Sequence, residues 1–335
     1  MAGISKLEKD EMTIEVDPAV LENSDADYES AGYDSSTQSL TSSINEWIFE
    51  NGRRYHVYFG AEKNLMPTDE VEQDRLDMHH ESLLQILSGK LHLAPLKEPH
   101  RILDVGTGTG IWAIDMADKY PSAEVIGIDL SPIQPKWVPP NCRFEVDDAE
   151  REWTYAENSF DFIHLRNISI SISDWQFLLG QAYRCLKPGG YIEHCELGIQ
   201  TLCDDGTMPD DHGSKRCMEY ISEAMTSIGK PPATKPTMVD NMKEAGFVEI
   251  DANTFKQPIG PWPKDPRMKR IGGMSVLLSE TGYEAYGMGP LTRILGFEHA
   301  KAKKICDDAF AAVKNKNYHV YNHYYVVYAR KPEEE

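Results

Sequence analysis

"RILDVGTGTGIWAIDMADKYPSAEVIGIDLSP", residues 101–132, reads as strand, glycine loop, helix and second strand. "RILDV" is a short apolar run stopped by Gly106, a helix is expected from about Ile111 to Lys119, and "AEVIGIDL" is the next strand. Gly106, Gly108 and Gly110 alternate with other residues, so the backbone there either approaches a ligand closely or bends where a side chain would clash. A strand–loop–helix of this kind sets backbone N–H groups and a helix N-terminus against that ligand. The dinucleotide fingerprint G-x-G-x-x-G needs glycine or alanine where this chain has Ile111. A nicotinamide oxidoreductase therefore fits poorly.

Outward from this stretch the alternation continues. "CRFEVDDA" is a third strand, "FDFIHLRN" a fourth, a helix spans about Trp175 to Cys185, "KPGG" signals a turn, and "YIEHCEL" is a fifth strand. Strands alternating with helices predict an α/β, Rossmann-like, doubly wound and mostly parallel sheet. Further on, helices are expected near 213–228 and 237–245, with strands at "FVEIDANTF" and "NHYYVVYARK". These last two complete a seven-stranded sheet as a final antiparallel hairpin, and the long segment between them, about 256–315, reads as an added helical lid.

Ahead of the first strand, Thr68 or Asp69 can cap a helix whose first turn is acidic, with Leu76, Leu83, Leu87 and Leu91 near one face. The expected organisation is an acidic disordered tail (1–42), an N-terminal helical cover (43–97), a ligand-binding core (98–200), and the remaining strands with the lid (201–335).

The chain has 335 residues and a net charge of −20, from 54 acidic and 34 basic side chains. That surface repels phosphate backbones, so nucleic acid is not an expected partner. No apolar run is long enough to span a bilayer, and the N-terminal "MAGISKLEKDEMTIEVD" does not read as a signal peptide. A cytoplasmic or nuclear location is expected, with no membrane partner. Six irregularly spaced cysteines, none in a C-x-x-C pair, point to reduced thiols and no metal site.

Asp104 completes D-x-G-x-G-x-G, which resembles the first motif of Rossmann-like methyltransferases that use S-adenosylmethionine. The resemblance implies that Gly106, Thr107, Gly108 and Gly110 pass beneath the methionine and ribose portions. Asp129, at the end of the second strand and followed by Leu130, suits a ribose diol, a geometry NAD shares. In "DDA" the family places an acidic residue against the adenine amino group; Asp148, before Ala149, matches best, with Asp147 in reserve.

The flanks sharpen the likeness. "ENGRRYHVYFGAEKNLMPTDEVEQDRLDMHH", "FDFIHLRNISISISDW", "WPKDPRMKRIG" and "YYVVYARKP" resemble the LaeA-like methyltransferases of filamentous fungi, over roughly residues 44–332. That family implies either of two functions. One is methylation of oxygen or nitrogen on a small secondary metabolite. The other is nuclear regulation of secondary metabolism together with velvet-domain proteins. It also implies that the segment before the first strand closes over the cofactor. Tyr55 and Tyr58 would then pack on the sulfonium or methionine, and Arg53 or Arg54 would pair with its carboxylate.

The acceptor's general base is expected where the parallel strands end. Glu196 and His194 share one face of the fifth strand, and His164, Arg166 and Asn167 lie at the end of the fourth. His79 and His80 lie on the covering helix. Met268, Tyr283 and Tyr286 of the lid can line an apolar pocket.

Overall fold

The computed structural model describes residues 46–60 and 63–333, so the tail expected at 1–42 lies outside the described residues. Strands β1 (Trp47–Glu50) and β2 (Arg53–His56) form an antiparallel hairpin. Its two-residue turn is Asn51-Gly52, with φ of 54° and 77°. Asn-Gly is the pair that a turn with two left-handed residues favours. The cover expected to be helical thus begins as a hairpin.

Helix α1 (Glu70–Ile86) follows, capped by Asp69, whose carboxylate accepts from the Glu72 N–H at 3.0 Å. The same carboxylate takes both arms of the Arg53 guanidinium at 2.7 and 2.8 Å, which ties the hairpin to the helix start. The helix stops at Ile86 because Ser88 and Gly89 turn left-handed, so Leu91 lies beyond it.

The core runs β3 (Arg101–Val105), α2 (Ile111–Lys119), β4 (Glu124–Asp129), β5 (Cys142–Val146), β6 (Phe160–Arg166), α3 (Trp175–Cys185) and β7 (Leu186–Leu197). These strands lie in the order β5-β4-β3-β6-β7, all parallel. Ile102, Leu103, Val105, Ile126, Ile163 and Leu165 are fully buried, as strands covered on both faces require. The "KPGG" stretch, expected as a turn before the strand, lies inside β7, where the β6–β7 register shifts.

Then come β8 (Leu202–Cys203), α4 (Gly213–Ser227), α5 (Lys235–Glu244), β9 (Val248–Pro258), α6 (Pro266–Gly289), α7 (His299–Val313) and β10 (Val320–Arg330). Strand β10 lies antiparallel between β7 and β9, and two-residue β8 pairs with its first residues, giving this sheet eight strands among the described residues where seven were expected. Helices α4, α6 and α7 pack around Cys217, Ile221, Met225, Leu291 and Cys306 as a second core; α6 and α7 fall within the segment expected as a lid, and α4 lies ahead of it. All six cysteines are free thiols. No helix among the described residues is long and apolar enough to cross a membrane.

Sheet order reverses between β3 and β6, since the chain first steps outward to β5 and then returns to the other side of β3. Ligands of open parallel sheets bind at the carboxyl ends of the strands beside such a reversal.

Candidate active site

A cleft of about 190 Å³ opens at that reversal. Val105–Thr109 form its floor, Ile128–Ser131 and Asp147–Glu150 one wall, Arg166–Ile168 another, and Thr68, Glu72, His79 and His80 the roof. The loop is built for close approach. Gly106 has φ of 71°, and a Cβ there would lie 2.4 Å from Ile168 Cγ2. At Gly110, φ 82°, a Cβ would lie 2.3 Å from the Phe144 ring.

Beneath the loop, Asp104 is buried and does not line the cleft. Its carboxylate accepts from Thr107 Oγ1 at 2.6 Å and from His164 Nδ1 at 2.8 Å. His164 stacks on Trp112 with ring centroids 3.7 Å apart. Burial lowers its pKa to about 4 against the pull of Asp104, so it is a neutral donor that steadies the aspartate.

Asp129 ends β4 with its carboxylate accepting from the Gly108 N–H at 2.8 Å and the Ser131 N–H at 2.9 Å. Burial pushes its pKa up to about 6, with those N–H groups opposing. Asp148 is buried and takes the Lys63 ammonium at 2.9 Å, while burial raises the pKa of Asp147 beside it. Leu130 and Ala149 complete the wall between these acids. Lys63 carried no signal in the sequence, because its partner lies far along the chain.

Across the cleft, Arg166 Nη1 donates to His80 Nδ1 at 3.0 Å, and His80 Nε2 donates to Asp115 at 2.9 Å. Asn167, at φ 55°, accepts from the Leu197 N–H and fixes the end of β7. The aromatic and basic residues expected to close over the cofactor lie off the cleft lining. Tyr55 is buried with the Arg293 guanidinium 4.6 Å from its ring centroid. Tyr58 is exposed and meets Phe59 edge-on. Arg54 donates to the Thr68 carbonyl at 2.9 Å and pairs with Glu70, and Arg53 is held by Asp69.

A second cavity, about 120 Å³, adjoins the cleft through three shared residues, His79, Asn167 and Tyr286. Ile170, Met218, Ile221, Ile259 and Leu278 supply apolar wall, and Arg75, Glu196 and Gln257 supply polar groups. Arg75 is spent on Glu72 through two bonds of 2.9 and 2.6 Å, a buried pair on α1. Glu196 Oε1 accepts from the Ile168 and Ser169 N–H groups and from His194 Nε2, at 2.8 to 2.9 Å. His194 stacks on Trp175, and neither it nor His164 lines either cavity.

Sequence reasoning gave little weight to His79, which sits at the junction. Its signal was the spacing of Glu72, Arg75 and His79, three polar residues that α1 places on one buried face. His164, Glu193 and Cys195 offer ligand atoms within 4.8 Å of one another. Glu193 is, however, committed to the Leu93 and Ala94 N–H groups and His164 to Asp104.

A half-buried carboxylate at the end of β4, acids at the end of the next strand, and a glycine floor between them fit S-adenosylmethionine. Fold and cleft together define a Rossmann-like methyltransferase. The methyltransferase-domain family matches residues 78–248. "Methyltransferase pytC" of Aspergillus terreus is 40% identical over 310 residues, covering 92% of this chain and 95% of that protein. "Secondary metabolism regulator LAE1" of Cochliobolus heterostrophus is 40% identical over 297 residues, covering 87% and 96%. Among solved structures, a Haemonchus contortus phosphoethanolamine N-methyltransferase with S-adenosylhomocysteine gives a TM-score of 0.46 at 22% identity, covering 78% of this chain and 52% of that one. The chain belongs to the LaeA-like, S-adenosylmethionine-dependent methyltransferases.

S-adenosylmethionine supplies an activated methyl group on a sulfonium. The chain's part is to hold an acceptor in line with that methyl, which can contribute about 7–11 kcal/mol by positioning.

Proposed function

We propose that the protein methylates oxygen or nitrogen of a small secondary metabolite held in the second cavity. One observation carries this reading: a mainly apolar cavity meets the cleft at His79, Asn167 and Tyr286, so an acceptor held in it would lie beside a cofactor held in the cleft. The kinship to a pathway methyltransferase, pytC, supports it. The cofactor contacts in this reading are the glycine loop, Asp129 for the ribose, and Asp148 or Asp147 for adenine.

The test is transfer from methyl-labelled S-adenosylmethionine in fungal extract separated into low-mass and protein fractions. Label in a low-mass organic product is expected; label confined to protein would overturn the proposal.

The second reading is a nuclear regulator acting with velvet-type protein partners, favoured by the likeness to a named regulator of secondary metabolism. It predicts co-purification with a velvet-domain protein from nuclei and no low-mass product.

A further inference from the structure

The small-molecule reading above is the basis for a narrower one, drawn from two buried polar atoms. Nε2 of His79, at the junction, and Oε1 of Gln257, which lines only the second cavity, have no hydrogen-bond partner. An unpaired buried polar atom costs about 1–3 kcal/mol. Two residues of one cavity wall that each carry an unpaired polar atom point to an occupant that pairs with them.

Their roles follow from their neighbours. The Ser275 hydroxyl donates to the Ile271 carbonyl at 2.9 Å, so towards Gln257 it can only accept. The Gln257 amide nitrogen is therefore the atom 3.2 Å from Ser275 Oγ, and Oε1 is an acceptor awaiting a donor. His79 is neutral: burial, then the Arg75 and Arg166 charges, hold its pKa well below the usual value.

The other ionisable groups near His79 are Glu72 on its own helix, His80 beside it, Tyr286 on α6 and Glu196 at the end of β7. Arg75 is already paired with Glu72, and Glu196 with backbone N–H groups and His194. An anionic acceptor would find no spare cation in the second cavity. An ammonium would meet Arg75, Arg166 and the sulfonium. The remaining wall is mainly apolar, with the uncharged polar groups of Ser169, Ser275, Ser279 and Asn322 set into it.

We propose that the second cavity takes a neutral, largely apolar ring compound with at least two hydroxyl groups, one methylated on oxygen with its proton passing to His79 Nε2, the other anchored by Gln257 Oε1. The hydroxyl oxygen attacks the methyl carbon, and the new C–O bond forms as the C–S bond breaks with its electron pair kept by sulfur. The hydroxyl proton moves to His79, whose imidazolium loses it to water when the products leave. The oxygen grows strongly acidic as the new bond forms, so even an imidazole of depressed basicity accepts its proton.

The test uses the full chain saturated with S-adenosylhomocysteine and three matched probes: a dihydroxynaphthalene, its dimethyl ether and the corresponding dicarboxylate. Calorimetry should show the diol binding about tenfold or more tightly than either comparator, the value of one good hydrogen bond. With S-adenosylmethionine, Gln257→Leu should raise KM for the diol about tenfold at unchanged kcat. His79→Gln should lower kcat about 100-fold, and retained S-adenosylhomocysteine binding shows each variant folded.

Equal binding of the ether or dicarboxylate, no binding of the diol, or unchanged kcat in His79→Gln overturns the proposal. Failure of the wild-type protein to bind S-adenosylhomocysteine overturns instead the methyl-transfer reading beneath it.

Discussion

Gly106→Ala is the most exacting perturbation of the loop. Its φ of 71° costs a residue with a Cβ about 1–2 kcal/mol. The new Cβ would lie 2.4 Å from Ile168 Cγ2, far inside the separation of about 3.5–4.0 Å at which carbons attract. Ile168 has little room to yield, because it is buried and its N–H is held by Glu196 at 2.9 Å. Overpacking of this kind costs about 1–3 kcal/mol. The sum is about 2–5 kcal/mol, read from chemical denaturation, with weakened S-adenosylhomocysteine binding by calorimetry. Adding Ile168→Ala makes a double-mutant cycle: about 1–3 kcal/mol of the Gly106→Ala cost should vanish, and the left-handed strain should stay. A Gly106→Ala protein within about 0.5 kcal/mol of the parent, binding cofactor normally, would refute the close-approach reading.

Three further substitutions test the surroundings. The Asp129 pKa is raised by burial from 3.8 to about 6, so the native state holds more protons than the unfolded chain between those values. Stability should fall by about 3 kcal/mol in all as pH rises from well below 3.8 to well above 6, about 2 kcal/mol of it between pH 4 and 6, and Asp129→Asn should remove that slope in denaturation curves. A ribose diol favours the ionised carboxylate, so wild-type cofactor affinity should increase as pH rises through about 6. Arg75→Met leaves the Glu72 carboxylate buried and unpaired, and should cost about 3–5 kcal/mol by the same denaturation assay. Glu196→Ala frees the Ile168 and Ser169 N–H groups and His194 together, with an expected loss of about 3 kcal/mol; turnover falling with no loss of stability would contradict the placement.

The sequence-to-structure correspondence is closest where local signals agree. "RILDVG" and "IWAIDMADK" carry their own periodicity and stop residues, and α2 spans Ile111–Lys119 as expected. The Asn51-Gly52 hairpin falls where a helical cover was expected: its turn pair is a local signal, but the aromatic and basic residues around it drew the reading to a cofactor-closing segment instead. Pro188, Gly189 and Gly190 read as a turn, yet β7 absorbs them in an irregular stretch. The acceptor site was the least legible. His79 on α1, Gln257 on β9 and Tyr286 on α6 converge only because β10 sets β9 beside the parallel sheet and α6 packs on α1. No local pattern encodes that meeting.

The central claim is that the "DVGTGTG" loop, Asp129 and the acids after β5 hold S-adenosylmethionine. Calorimetric titration of the full chain with S-adenosylmethionine, S-adenosylhomocysteine and NAD tests it most directly. Saturable binding of the first two at one per chain, lost in Asp129→Ala, with no heat from NAD, is the predicted result. Preference for NAD, or undiminished S-adenosylmethionine binding in Asp129→Ala, would contradict it.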